Sequence, residues 1–207
     1  MRLADLLLRL LIGKRDRDTV SGDLREEFQQ GVLPSRGPVR ARLWYVRQIL
    51  SFMGPIACGV VIGVAFGAWT LIDTAIEPLA DDSSGVMLIV FGSLLLLWAL
   101  TGFAAAHRTD RLRDALVAGV LVGVTTVLVL NVAAIVRVNL FLDVIRMRTD
   151  WINLVARFEA SGSPSLLSYA NYEYVTGTPL LVAIGATAGA LVGTLGGLVA
   201  RFSPGRI

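Results

Sequence analysis

The chain has 207 residues, of which 55% are hydrophobic and 17% charged, with a net charge of +3. Soluble domains carry about 25% charged residues, so this balance excludes an ordinary water-soluble domain, and the apolar fraction excludes a disordered chain. The basic balance points to anionic lipid rather than nucleic acid, because no recognition helix or aromatic-basic motif accompanies it.

The first apolar stretch, Leu3, Leu6, Leu7, Leu10 and Leu11, has helical spacing and stops at Gly13. Asp5 and Arg9 interrupt it. It is too short to span a bilayer and lacks a small-residue cleavage site, so it is not read as a signal peptide. Val20, Leu24 and Phe28 mark a second short helix, and residues 31–37 read as a turn. Pro38 then opens a basic helix with Val39, Leu43, Val46 and Leu50 on one face and Trp44 and Tyr45 at interface depth. Residues 1–51 are thus expected to form a helical prefix. About fifty residues make a marginal core, so the prefix is expected to lean on the membrane or on a partner. Glu26, Glu27, Phe28, Trp44 and Tyr45 are its candidate docking residues.

Four uncharged runs follow, at 52–72, 86–106, 115–136 and 178–200. Each exceeds the ~20 residues a helix needs to cross a ~30 Å hydrocarbon core. Continuous apolar runs select helices over a barrel. The expected fold is all-α, a four-transmembrane-helix bundle spanning 52–207 behind the prefix. Fifteen Lys or Arg fall in the prefix, the 107–114 loop and the tail, against four in the other connections, so both termini are expected in the cytoplasm. The connection 73–85 is short and acidic. The segment 137–177 is longer, with Leu140, Val144, Trp151, Leu154, Val155 and Phe158 on one helical face. It reads either as a continuation of the third span or as an interfacial helix, and Tyr169, Tyr172 and Tyr174 after it suit an aromatic belt. The single cysteine, Cys58, lies in the first span, so no internal disulfide forms.

Small residues recur every fourth position: Gly59, Gly63 and Gly67 in the first span, and Gly185, Gly189, Gly193 and Gly197 in the fourth. That glycine-zipper spacing lets backbones approach where lipid removes the hydrophobic drive. These faces serve either packing within one chain or contact with a second copy or another membrane protein. Thr125, Thr126, Thr187 and Thr194 are expected to bond back to their own helices. Polar groups at membrane depth are the default functional suspects, here Asn131 with Asp73 and Arg137, which close two spans on one side within reach of each other. Enzyme chemistry has little to use. One histidine, His107, and one cysteine supply no metal cluster and no triad, and Gly13-Lys14-Arg15 lacks the frame of a phosphate-binding loop, so no catalytic residue, metal or cofactor is expected.

The stretches Leu7-Leu8-Arg9-Leu10-Leu11, Arg15-Asp16-Arg17, Gly22-Asp23-Leu24-Arg25-Glu26-Glu27-Phe28 and Ala41-Arg42-Leu43-Trp44-Tyr45-Val46-Arg47-Gln48 stand in order across residues 4–52. In them the chain resembles the permease prefix domain 2 family, which precedes the membrane part of bacterial MacB-like and FtsX-like ABC permeases. The resemblance implies a bacterial cytoplasmic-membrane protein working beside a transport complex. Those permeases place a large domain between their first two spans, where this chain has only residues 73–85. The expected function is therefore a non-enzymatic accessory or regulatory membrane subunit, with a separate ATPase or cytoplasmic regulator as partner. The alternative is the membrane subunit of an exporter energised by that separate ATPase.

Overall fold

A computed structural model describes residues 33–79 and 84–203, with side chains described at 53–79 and 88–203. Among these residues all regular structure is helical: α1 (Leu33–Ile76), α2 (Ser84–Thr109), α3 (Leu112–Ile145), a 3-10 turn (Thr149–Trp151), α4 (Ile152–Ser161) and α5 (Leu166–Phe202). The chain divides into two compact units, Met1–Gly54 and Pro55–Ile207. Met53–Ile76, Leu88–Thr109, Leu112–Ile145 and Leu166–Phe202 are long and apolar enough to cross a membrane. The fold is consistent with a multi-pass membrane protein. Glu26, Glu27 and Phe28 lie outside the described residues, and Trp44 and Tyr45 belong to α1 without described side chains.

Several boundaries depart from the hydropathy pattern. Residues 33–37 are helical rather than a turn, so Pro38, expected to open the helix, lies inside α1; the helix begins at Leu33 with Pro34 in its first turn, where a missing N–H costs no helical bond. α5 begins at Leu166, twelve residues before the apolar run: Ser165 is extended and its side chain accepts from the Ser168 amide at 3.4 Å, capping the start. The helix then runs through Pro179. The segment 137–160 continues the third span for nine residues and then forms a separate short helix. α3 carries on to Ile145, the backbone turns at Arg146 to Arg148, and α4 runs to Gly162, whose φ of 68° closes it in the left-handed region open to glycine. Hydropathy measures what lipid demands, whereas caps decide where a helix stops.

Only Asp110 and Arg111 separate α2 from α3. Asp110 has φ 60° and donates its amide to the Ala106 carbonyl at 2.8 Å, a left-handed residue that a short polar side chain tolerates. The turn forces the two helices antiparallel.

Among the described residues three apolar clusters lie in the second unit. Ile62, Leu94, Trp98 and Val122 form the middle one; Ala106, Ala115 and Ala200 the one at the turn. Val138, Ile145, Trp151 and Ala170 form a third, joining the end of α3, the 3-10 turn and the start of α5. Outward, Val61, Leu88, Ile89, Leu96, Leu180, Leu191 and Val199 are exposed, the faces a bilayer would cover.

Candidate functional site

The glycines of α5 face the glycines of α3. A methyl added at Gly119 would strike the Gly189 carbonyl and come within 3.0 Å of Gly193 Cα. One at Gly123 would strike the Gly185 carbonyl, and one at Gly193 would stand 2.7 Å from Gly119 Cα. At the turn, one on Gly197 would meet Ala115 Cβ at 2.5 Å. The two backbones are thus in van der Waals contact with no side chain between them. Gly59, Gly63 and Gly67 also point at α3, where added methyls would meet Thr125 Cβ at 2.8 Å, Val129 Cβ at 2.6 Å and Ala133 Cβ at 2.7 Å. All seven of these glycines therefore lie against helices of the same chain. Gly102 and Gly196, which the spacing does not single out, close a further contact: methyls there would strike the Gly193 and Ala99 carbonyls.

At the centre of this packing Thr126 is fully buried. Its Oγ1 accepts from Trp98 Nε1 at 3.3 Å, while its own hydrogen is directed at the Val122 carbonyl at 2.7 Å, with the Gly59 carbonyl at 3.3 Å. One hydroxyl therefore touches three helices, where the sequence assigned it only a bond to its own. Thr125, Thr187 and Thr194 do bond back, to Leu121, Ala183 and Ala190. Trp98 was the missing signal: a buried indole N–H needs an acceptor.

Of the three polar residues expected together, no two are joined by a hydrogen bond or an ion pair. Asp73 is exposed near the end of α1 and makes no ion pair with Arg137. Asn131 instead bridges α3 and α5: its Nδ2 donates to Thr178 Oγ1 at 2.8 Å and approaches the Tyr174 carbonyl at 3.5 Å, while Thr178 Oγ1 donates to that carbonyl at 2.9 Å. The bridge sits beside Pro179, where the helix lacks an N–H donor. Asn131 Oδ1 and Arg137 Nε are both buried without a hydrogen-bond partner.

Beyond Asn131 the contacts become polar and paired. Asn139 and Asn171 exchange amide bonds at 2.9 and 3.3 Å. The buried Arg148 donates through Nε to Asp150 at 3.1 Å, and Arg157 pairs with Glu173 at 3.2 Å. At the opposite end His107 stacks on Phe103 with ring centroids 5.7 Å apart. Cys58 is exposed on α1. No group of three His, Cys, Asp or Glu among the described residues is placed to hold a metal ion.

No protein-family model matches the chain, and neither a curated protein nor a solved structure matches it.

Proposed function

We propose that the chain is a non-enzymatic accessory subunit of a bacterial cytoplasmic-membrane complex, with both termini and the 107–114 turn in the cytoplasm. The observation that supports this reading is the α3–α5 contact. A seam that has no room for a methyl group at Gly119 or Gly123 is built as a fixed anchor and leaves no passage between those helices. The small-residue faces are spent inside the chain, so partner binding is assigned to the prefix, through Glu26, Glu27, Phe28, Trp44 and Tyr45. The partner is a separate ATPase, a cytoplasmic regulator or another membrane protein.

The test is affinity purification in mild detergent from the native host, comparing the full chain with one lacking residues 1–37. A stoichiometric partner recovered with the full chain and lost with the truncated one is the expected result. Equal recovery from both overturns docking through the prefix. Substrate movement that depends on Asn131 overturns the accessory reading in favour of an exporter subunit. Reporter fusions after residues 162 and 207 test orientation: a cytoplasmic signal is expected at 207 alone.

A further inference from the structure

The ends of α2, α3 and α5 meet at the turn. Ala106, Ala115 and Ala200 are buried to 1% exposure or less in one cluster, and a methyl on Gly197 would lie 3.2 Å from Leu112 Cδ2 and 3.4 Å from Ala106 Cβ. This three-alanine layer lies next to the charged residues of the turn and of the end of α5. Arg108, Arg111, Arg113 and Arg201 each lie within four residues of it. All four are exposed, and among the described residues none has an ion-pair partner. Asp110 and Asp114 share the stretch, Asp114 half-buried in the first turn of α3, so positive charge is in excess there. At the other end two of the four arginines, Arg148 and Arg157, are paired with Asp150 and Glu173, while Arg137 and Arg146 have no ion-pair partner among the described residues.

We propose that this arginine collar binds the phosphodiester headgroups of anionic phospholipids and holds them against the bundle. Guanidinium groups suit phosphate oxygens because their N–H fork matches them. The commitment to a lipid rather than a free ion comes from what lies next to the charge. Leu116, one turn below Arg113, and Leu195 and Val199 on α5 are exposed, giving the acyl chains an apolar track beside the headgroup site. The proposal rests on the membrane reading of the chain, and on neither its orientation nor a partner.

The experiment places the full chain in nanodiscs of mixed phosphatidylglycerol and phosphatidylcholine and counts the lipids it retains by native mass spectrometry. Phosphatidylglycerol is expected to be enriched among them. R111Q/R113Q should lower the enrichment by about fivefold per arginine, the worth of one basic residue at an anionic surface. R111K/R113K, which keeps the charge and loses the fork, should fall between the unaltered chain and R111Q/R113Q, and R157Q, at the far end, should keep all of the enrichment. Equal retention of the two lipids by the unaltered chain overturns the proposal, as does undiminished enrichment in R111Q/R113Q. Loss of enrichment on adding millimolar inorganic phosphate at constant ionic strength also overturns it, since the collar is then a site for a free ion. A chain that enters no nanodisc overturns the membrane reading itself, an outcome distinct from equal retention.

Discussion

The two ends of the bundle are joined by different means. Toward the turn, α3 and α5 touch through glycine and alanine, backbone against backbone, and the connection to α2 is two residues long. Toward the other end the same helices are held by bulk and polarity: Ile145 and Trp151 fill the space, Asn131 and Asn139 bridge it, and Arg157 pairs with Glu173. Gly177 shows the change, since a methyl there would meet nothing within 4 Å. Close approach leaves only small residues usable and makes dispersion the main attraction. Where larger residues face one another, side chains and hydrogen bonds supply what backbone contact supplies at the glycines.

Substitutions that fill or empty these spaces test the contrast. Gly119→Leu should be the most damaging, because the side chain would meet the α5 backbone, which has no rotamer to change; a loss of about 3 kcal/mol or more is expected, read as loss of monodisperse protein in detergent. Gly177→Leu should be tolerated in the same assay, and equal damage by both would erase the distinction between the ends. Trp151→Ala should cost about 3 kcal/mol by opening a cavity. Its effect should be confined to residues 138–174, seen as faster amide exchange there while the α3–α5 seam stays protected.

Smaller effects follow from the polar contacts. Thr126→Val keeps the shape but leaves the Trp98 N–H without an acceptor, a cost of about 1–2 kcal/mol in reversible unfolding. Asn131→Ala removes one interhelical bond, worth about 0.6–1.7 kcal/mol between membrane helices. Amide exchange in residues 174–180 should rise, while residues 185–197 stay unchanged. Glu173→Gln breaks a pair with substantial exposure on both sides and should cost less than about 0.5 kcal/mol. A larger loss would show that this end relies on its charges more than on the Trp151 cluster.

The sequence made some of this legible. Run length and the absence of charge marked four helices, because a bilayer's thickness imposes a minimum that composition reveals. The fourfold glycine spacing marked faces suited to close approach, and Asn131 stood out as a polar group in an apolar run. Helix ends were less legible: the Ser165 cap and the turn at Arg146 to Arg148 are decided by a few backbone torsions and hydrogen bonds that hydropathy does not register. Nor did spacing pick out Gly102 and Gly196, which stand outside the repeating rows and become important through what faces them.

By itself the sequence determined that the chain carries four membrane-length helices and where small and polar residues lie along each, since those properties depend on one helix and its solvent. Tertiary structure alone decided which residues meet. It set Asn131 against Thr178, gave the Thr126 hydroxyl to three helices, and brought Ala200 of α5 against Ala106 and Ala115 at the turn. Such pairings depend on the rotation and register of one helix against another, which a single helix's pattern leaves free and the packed bundle fixes.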